Sequence, residues 1–290
     1  MSMLLQISLL LILQLFIPTD TKQNTILIDN ISRSYILDLP KVPAENMPLL
    51  IVLHGGFGRG KQAAASYQLS PIAHQNNYAV VYPDGIDRKG RLLNIRTWNA
   101  GGCCGYAAKS AINDVKFISL LIDKLVKEEH INPNRVFVTG MSNGAMMAYR
   151  LACEIPEKIR AIAPVAGVIL PIKSCGSAVP IIHFHSKQDQ NVPIEGGKGK
   201  GPSGFEFPSL EEVISTWEAI NQCEERENIQ NNGYSLYQWN KGTVPMKYYI
   251  TDDGGHSWPG AEEKSWRRAD NPSQILDANK LMFEFFNALQ

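Results

Sequence analysis

The chain has no excess of charge of either sign. Its 290 residues include 28 Lys and Arg against 28 Asp and Glu, which gives a formal net charge of zero. A protein without net positive charge has no long-range electrostatic attraction to nucleic acid or to an anionic membrane. Because 44% of the residues are hydrophobic and 19% are charged, the composition also excludes a disordered or fibrous chain. We therefore expect a globular protein with a large core and no nucleic-acid partner.

The sequence lacks the signals of several domains and of common cofactors. Its 17 prolines and 23 glycines are scattered rather than gathered into linkers, and no internal repeat occurs. The HExxH metal motif and the phosphate-binding loop that ends in Lys-Ser/Thr are both absent. Lys198 and Lys200 lie in a Gly-rich stretch without a following helix cap, which indicates a surface loop. We expect one domain that requires neither a metal nor an organic cofactor.

The chain has one long apolar run, and it lies at the start. Residues 3–17 contain only three polar side chains. This run is shorter than the roughly 20 apolar residues of a transmembrane helix, and its length is typical of a secretory signal peptide. We predict a signal peptide over residues 1–22 and a mature domain over residues 23–290. The protein is then secreted (extracellular or periplasmic) and has no stable membrane association after leader removal; the alternatives are an uncleaved anchor and a wrongly assigned start of the sequence.

Cysteine is scarce, and none of the five cysteines has CxxC or metal-finger spacing. An oxidising compartment would allow two disulfides, and the odd count leaves at least one free thiol. Cys103 and Cys104 are adjacent, and a bond between them would close a strained eight-membered ring. We therefore expect these two to bond to different partners. The pairing among them and Cys153, Cys175 and Cys223 stays open at this point.

Short, continuously apolar runs alternate along the chain with longer amphipathic segments. Continuous apolarity is typical of strands buried on both faces of a mostly parallel sheet. The predicted strands are 49–53, 78–82, 135–139, 180–185 and 246–250, with 25–39 as an antiparallel edge. The predicted helices are 112–129 with Asn113 as N-cap, 145–154, 209–221 and 272–289. This alternation predicts an α/β protein with a doubly wound sheet and helices on both faces.

One motif stands between a predicted strand and a predicted helix, Gly140-Met141-Ser142-Asn143-Gly144. A G-x-S-x-G in this context places its serine on a sharp strand-to-helix turn. The N-terminus of the following helix directs partial positive charge toward a developing anion. We predict that Ser142 is a nucleophile; the alternative is an ordinary turn serine.

A serine hydroxyl becomes a nucleophile only when a base accepts its proton and an acid orients that base. His256 lies in a Gly-rich loop after the last predicted strand and is the candidate base. His183 and His185 alternate within a buried strand and are expected to be core residues. His54 is expected to support its loop rather than to act chemically.

Asp189 follows the predicted strand 180–185 and is the candidate acid. Asp252 and Asp253 are alternatives, but both stand so close to His256 in the chain that reaching its far nitrogen would be awkward. The backbone N–H groups of Asn143 and Gly56 are the candidate oxyanion hole, because the first follows the nucleophile directly and the second lies after an early strand.

Two strings of residues are the most specific of the chain, Trp98-Asn99-Ala100-Gly101-Gly102-Cys103-Cys104-Gly105 and Gly254-Gly255-His256-Ser257-Trp258-Pro259-Gly260. Others are Arg33-Ser34-Tyr35, Pro48 to Gly56, Tyr82-Pro83-Asp84-Gly85, Asn113 to Phe117, Ala163 to Gly167, and Asp189 with Val192-Pro193. Together these strings resemble the secreted poly(3-hydroxybutyrate) depolymerase and feruloyl esterase-like family of α/β-hydrolases. The resemblance covers roughly residues 25–288.

The resemblance implies a single α/β-hydrolase domain and a serine carboxylic-ester hydrolase without cofactor. It assigns Ser142, Asp189 and His256 as the catalytic triad. The implied partner is a small ester or an ester-decorated polysaccharide or polyester fragment. Since no residues remain for an appended substrate-binding domain, we expect short hydroxyalkanoate or hydroxycinnamoyl esters. The alternatives are a non-catalytic glycan- or protein-binding module and a serine peptidase of the same fold.

The chain departs from the family at some positions. Gly56 stands where many members have Cys, and Trp239-Asn240 stands where many have another Cys, so Cys223 is expected to lack its usual partner. Trp98, Trp258 and Trp266 are candidates for stacking on an aromatic acyl group or a sugar; the alternative for each is core packing.

Overall fold

The predicted strands are all present in the computed structural model, which describes residues 22–87, 95–170, 175–262 and 269–289. The predicted leader, apart from Lys22, and Trp266 lie outside the described residues. The strands are β1 (Lys22–Ile28), β2 (Ile31–Asp38), β3 (Met47–Leu53), β4 (Ala79–Pro83), β5 (Ile131–Met141), β6 (Ala161–Val165), β7 (Ile181–Ser186), β8 (Gly197–Lys198), β9 (Glu206–Phe207), β10 (Glu224–Asn231), β11 (Tyr234–Lys241) and β12 (Met246–Thr251). The helices are α1 (Gly60–Tyr67), α2 (Leu69–Gln75), α3 (Gly105–Lys109), α4 (Asp114–Glu128), α5 (Asn143–Glu154), α6 (Leu210–Asn221) and α7 (Ala278–Asn287).

One sheet organises the described chain, in the strand order β1-β2-β4-β3-β5-β6-β7-β12-β11-β10. Its six central strands, from β4 to β12, are parallel to one another. Antiparallel hairpins close both edges: β1 and β2 at one end, β11 and β10 at the other. The prediction of a mostly parallel sheet with an antiparallel edge over 25–39 is confirmed.

Helices cover both faces of the sheet, and each face has its own apolar core. Along β3, Leu49, Ile51 and Leu53 contribute to the core shared with α4, α5 and α6. The alternate residues Leu50 and Val52 contribute to the core shared with α1, α2 and α7. Both sets are fully buried, which explains why the run is continuously apolar instead of alternating.

Helix ends follow the capping signals in the sequence. The side chain of Asn113 accepts a hydrogen bond from the Lys116 N–H at 3.0 Å and begins α4, as predicted. Ser209 and Glu212 form a capping box at the start of α6. Helix α7 begins at Asp277 rather than at residue 272, because the segment before it makes other contacts, described below with the site.

The hairpin of β10 and β11 was not predicted, because its sequence carries little apolar alternation. Almost all of β10 is exposed, and its first four residues are charged.

At the Gly-rich stretch with Lys198 and Lys200, β8 pairs with β9 in a short antiparallel ribbon. Lys200 Nζ donates to Gln190 Oε1 at 2.7 Å. No helix within the described ranges is long and apolar enough to cross a bilayer.

The disulfides correct one expectation. Cys103 and Cys104 are bonded to each other, not to two different partners. Cys153 bonds Cys175, and Cys223 is a free thiol packed beside Gly242. The expected free thiol is therefore Cys223, and burial raises its pKa to about 11.

A buried ion pair ties the edge hairpin to the start of α4. Arg33 Nη2 donates to Asp114 Oδ1 at 2.6 Å, and the two side chains are 3% and 0% exposed. The guanidinium also lies 4.1 Å from the ring centroid of Phe117. The other carboxylate oxygen of Asp114 accepts from the Asn99 N–H at 2.7 Å. One carboxylate thus joins β2, α4 and the loop around Asn99.

Replacing Asp114 by alanine should lower the free energy of unfolding by about 3–5 kcal/mol, because it leaves Arg33 charged and unpaired in the core. Urea denaturation measures this change. The matched control is Lys116→Ala, which removes an exposed ion pair with Asp29 and should cost less than about 1 kcal/mol. Equal losses in the two variants would contradict the importance of the buried pair.

Candidate active site

Hydrogen bonds between strand ends bring the predicted site residues to one edge of the sheet. The Ser142 N–H, just after β5, donates to Val165 O at 2.9 Å, and the Ala166 N–H donates to Phe184 O on β7 at 2.8 Å. The Lys187 N–H then donates to Thr251 O at the end of β12, at 2.9 Å. Because neighbouring strands lie about 4.8 Å apart, the loops after β5, β7 and β12 begin at one carboxyl edge.

Ser142 stands at a strained turn between β5 and α5. Its backbone has φ 56° and ψ −120°, and its side chain is half-buried. A positive φ is unfavourable for a residue with a side chain and is characteristic of functional turns. The flanking glycines permit the turn: a Cβ on Gly144 would lie 2.3 Å from Leu53 O, and one on Gly140 would lie 2.7 Å from the same oxygen. The predicted nucleophile elbow is therefore present as backbone geometry.

The loop after β3 passes directly beside this turn. A Cβ built on Gly55 would lie 3.6 Å from the Cβ of Ser142, and one on Gly56 would lie 3.8 Å from the Cβ of Asn143. Asn143 is the first residue of α5, so its N–H belongs to the turn whose donors have no acceptor within the helix. The two predicted oxyanion donors thus belong to neighbouring backbone segments.

Within the loop after β3, the N–H groups on both sides of Gly56 already donate hydrogen bonds to other residues. The Gly55 N–H donates to the Tyr67 hydroxyl at 3.3 Å and the Phe57 N–H to Arg96 O at 2.9 Å. The Gly56 N–H has no acceptor among the residues that the structure describes. The prediction of Gly56 as an oxyanion donor therefore meets no competing acceptor there.

His54 is neutral and contacts the loop and Gly85 through its ring nitrogens. The Gly85 N–H donates to its Nε2 at 2.9 Å, so Nδ1 carries the proton and donates to Gly55 O at 2.7 Å. Burial lowers the pKa of His54 to about 4. The carbonyl of Gly55 and the N–H of Gly56 belong to the same peptide group, so this bond also orients the predicted oxyanion donor.

Asp189 and His256 are in direct contact. His256 Nδ1 lies 2.8 Å from Asp189 Oδ2, and Asp189 is 3% exposed. The other carboxylate oxygen, Oδ1, accepts from the N–H groups of Asn191 and Val192 at 2.8 and 2.9 Å. This carboxylate is fixed at both oxygens and faces the imidazole.

Charge and burial act in opposite directions on this pair. Burial would raise the pKa of Asp189, but the charge of His256 and hydrogen bonds from His185 and His256 hold that pKa well below its usual range. Burial would lower the pKa of His256, but the charge and hydrogen bond of Asp189, with the charge of Asp270, raise it overall. The pair therefore favours an ionised carboxylate that stabilises a protonated imidazole.

The two alternative acids have other partners. Asp252 forms an ion pair with Lys187 at 2.6 Å, and both side chains are about half exposed. Asp253 Oδ1 accepts from the hydroxyl of Ser273 at 2.5 Å. These contacts direct both carboxylates to other groups and favour Asp189 as the partner of His256.

Asp270 was missed by sequence reasoning. Its Oδ2 accepts from the backbone N–H of His256 at 2.7 Å, and a Cβ on Gly255 would lie 2.6 Å from the same oxygen. Together with Ser273, it explains why α7 begins late: the preceding segment holds the loop of His256. No motif marks Asp270 in the sequence, because its role depends on a tertiary contact.

The two described tryptophans predicted to stack on substrate are buried, which corrects that prediction. Trp98 is 0% exposed, its indole N–H donates to His54 O at 2.9 Å, and the Asn143 side chain holds its backbone N–H and C=O at 2.7 and 3.0 Å. Trp258 is 2% exposed and stacks on Tyr67 at 4.2 Å between ring centroids. Both indoles pack beneath the site and offer no open face to a ligand.

An exposed aromatic side chain that the sequence did not single out adjoins the oxyanion loop. Phe57 follows Gly56, is 54% exposed and has φ 72°. A phenylalanine at positive φ is costly, and such conformations concentrate at functional sites.

As for metals, no group of three or more His, Cys, Asp or Glu in the described ranges is arranged to hold an ion.

Comparisons with known proteins identify relatives of this chain by sequence. The sequence model of the family described as "Esterase PHB depolymerase" matches residues 33–199. Feruloyl esterase B from Piromyces equi is 28% identical over 220 residues, which cover 72% of this chain and 39% of that protein. Poly(3-hydroxyalkanoate) depolymerase C from Paucimonas lemoignei is 30% identical over 252 residues, which cover 76% of this chain and 57% of that protein. The chain therefore spans less than two thirds of the length of either relative.

Solved structures show the fold. The acetyl xylan esterase from Aspergillus awamori superposes with a TM-score of 0.65 at 15% identity, over 92% of this chain and 98% of that one. At this identity the likeness concerns the fold alone, and it confirms the predicted α/β-hydrolase architecture.

Replacing Asp189 by asparagine should lower the pKa of His256 below the ordinary value of about 6.5. The reason is that burial continues to disfavour the imidazolium while the neighbouring charge that stabilises it is lost. NMR titration of the imidazole measures this. Asp252→Asn removes a carboxylate that is much closer to His256 in the sequence and should leave the His256 titration unchanged; the reverse order of effects would assign the acid to Asp252.

Proposed function

The chain belongs to the esterase PHB depolymerase family, and from this premise we propose that it hydrolyses carboxylic esters through Ser142, His256 and Asp189. The observation that carries the proposal is the 2.8 Å contact between His256 Nδ1 and Asp189 Oδ2. It lies at the sheet edge where the strained Ser142 turn also stands. The proposed nucleophile, base and acid thus follow β5, β12 and β7 at one edge of the sheet, and this shared edge supports a Ser-His-Asp triad.

In the first half of the reaction, Ser142 Oγ attacks the ester carbonyl carbon and His256 Nε2 accepts the hydroxyl proton. Nε2 is the accepting nitrogen because Asp189 is acceptor-only and keeps the other proton on Nδ1. The carbonyl oxygen becomes an oxyanion and receives hydrogen bonds from the N–H groups of Gly56 and Asn143. The C–O bond to the alcohol then breaks, and the imidazolium returns its proton to the leaving oxygen.

In the second half, water replaces the alcohol. His256 accepts a proton from water, the hydroxide oxygen bonds to the acyl carbon, and the bond to Ser142 Oγ breaks as the proton returns to serine. The acid is released and the starting protonation state is restored. Each half passes through an imidazolium, which the ionised Asp189 stabilises.

For the substrate, we propose a short hydroxyalkanoate or hydroxycinnamoyl ester, free or on a polysaccharide or polyester fragment. The names of the two relatives, a feruloyl esterase and a poly(3-hydroxyalkanoate) depolymerase, cover both classes. Phe57 favours the aromatic class, because its exposed ring follows the oxyanion donor Gly56 directly. Offset stacking on such a ring is worth about 0.5–1.5 kcal/mol.

We further propose that residues 1–22 are a signal peptide and that the domain 23–290 acts outside the cytoplasm. The two disulfides, Cys103–Cys104 and Cys153–Cys175, are consistent with an oxidising compartment. N-terminal sequencing of the protein exported by a secretory host tests this. A mature N-terminus near residue 23 supports export, and an intact Met1 on cell-retained protein contradicts it.

Replacing Ser142 by alanine should leave the fold intact and lower kcat by a factor on the order of 10⁶, because the nucleophile is removed. Initial rates are measured on methyl ferulate, a 3-hydroxybutyrate oligomer, a p-nitrophenyl acyl series and a matched amide. Ser110→Ala, which alters an exposed serine, is the control and should retain full activity. Ester hydrolysis that survives in Ser142→Ala would refute the assignment, and faster cleavage of the amide would indicate a peptidase.

Replacing Phe57 by leucine should lower kcat/KM for methyl ferulate about 3- to 10-fold, since the stacking surface is lost while the apolar bulk is kept. The rate on an acetyl ester, which has no ring, should change much less. The ratio of the two kcat/KM values is the readout, and an unchanged ratio would argue against an aromatic acyl site at Phe57.

A further inference from the structure

A row of buried polar side chains lies behind the Asp189 carboxylate. His183 and His185 are two residues apart on β7, so their side chains project from the same face of the sheet. They are 0% and 2% exposed, and Tyr149 of α5, also 0% exposed, lies beyond His183. The distances are 2.9 Å from the Tyr149 hydroxyl to His183 Nδ1 and 3.1 Å from His183 Nε2 to His185 Nδ1.

Hydrogen-bond chemistry gives this row a direction. His185 Nε2 lies 2.8 Å from Val192 O, which only accepts, so Nε2 carries a proton. With both rings neutral, His185 Nδ1 accepts from His183 Nε2, and His183 Nδ1 accepts from the Tyr149 hydroxyl. Each ring nitrogen then either donates to an acceptor or accepts from a donor. The donors run from Tyr149 through His183 to His185, in the direction of Asp189.

His185 reaches the carboxylate of Asp189 in two ways. Its Nε2 lies 3.4 Å from Asp189 Oδ2, the oxygen that faces His256. The same N–H holds the carbonyl of Val192, whose own N–H donates to Asp189 Oδ1 at 2.9 Å. The imidazole thus holds the Val192 end of the turn by a hydrogen bond and lies 3.4 Å from the carboxylate at the other end, so that it can orient that carboxylate.

We propose that His185, held by His183 and Tyr149, is a positioning residue that fixes the Asp189 carboxylate against His256. The inference rests on the proposed function for its kinetic consequence, but its structural content concerns only the Asp189–His256 hydrogen bond. A plain core position would be filled at lower cost by an apolar side chain, because buried polar groups stabilise a fold only when all of them are paired.

The first test measures the His256 hydrogen bond without using activity. In protein labelled with ¹⁵N-histidine, the Nδ1–H proton of His256 should resonate far downfield because it is held by a carboxylate. In His185→Leu, which removes the donor, this resonance should move upfield by more than about 1 ppm or be lost to solvent exchange. In His185→Gln, whose amide N–H occupies a position near that of Nε2, it should return toward the wild-type value.

Two tyrosine variants repeat the test with little change of shape. Tyr149→Phe removes the hydroxyl that donates to His183 and should move the His256 resonance in the same direction as His185→Leu, by a smaller amount. Tyr248→Phe is the matched control: its ring is equally buried and lies 4.9 Å from the His183 ring, but among the described residues its hydroxyl has a hydrogen-bond partner only in the Tyr149 oxygen, at 3.4 Å. It should leave the resonance unchanged. If His185→Leu fails to fold, Tyr149→Phe decides the matter.

Kinetics supply the second readout. Misplacement of the acid should lower kcat for ester hydrolysis about 10- to 100-fold in His185→Leu with little change in KM, because the substrate does not touch His185. The acid limb of the kcat/KM profile should move to lower pH, since His256 loses part of the stabilisation from Asp189; the other charged group facing it, Asp270, is unaltered. If His185 had a merely structural role, His185→Leu would lower Tm but would leave kcat and the pH of the acid limb unchanged.

The outcomes separate this inference from the proposed function. An unmoved His256 resonance in folded His185→Leu and Tyr149→Phe would overturn the positioning role, whatever the esterase activity. A moved resonance, rescued by glutamine, supports it. Wild-type protein that shows the downfield resonance but hydrolyses no ester would refute the proposed function while leaving the positioning role in place.

Discussion

The site depends on one buried negative charge, the carboxylate of Asp189. A carboxylate that is 3% exposed is tolerated in a protein interior only when its oxygens are paired. Two backbone N–H groups hold one oxygen, and His256 Nδ1 lies 2.8 Å from the other. This arrangement keeps the carboxylate ionised, which in turn fixes the proton on Nδ1 of His256 and leaves Nε2 as a base. The proposed chemistry at Ser142 depends on this distribution of protons.

The sheet brings the loops around this carboxylate together, which the buried charge alone would not do. Parallel strands end at a common edge, so loops distant in sequence meet there, and the loop of β3 passes beside the turn of Ser142 because Gly140 and Gly144 carry no side chain. The neutral His54 holds the peptide that presents the Gly56 N–H, and Asp270 holds the backbone of His256. The strand order, the close backbone contacts at glycines and the buried hydrogen bonds therefore together position the turn of Ser142, the Gly56 N–H and the loop of His256.

The sequence predicts those parts of the molecule that short-range patterns determine. Continuous apolar runs located the central strands, and the flanks of the Ser142 motif located the turn, because both are local properties of the chain. Contacts between distant segments were not predictable: nothing near Asp270 marks it as a partner of His256, and the polar β10 carries no apolar pattern. The burial of Trp98 was not predictable either, because a motif that contains tryptophan can belong to a core or to a binding surface.

The central claim is that Ser142 is made nucleophilic by His256, and covalent labelling tests it most directly. The wild-type protein is treated with a fluorophosphonate ester and digested, and the modified peptides are identified by mass spectrometry. The account predicts one adduct, on the peptide that contains Ser142, formed faster as His256 loses its proton with rising pH and nearly abolished in His256→Ala. Folded wild-type protein that takes up no label, or carries it on other serines with Ser142 unmodified, would contradict the account.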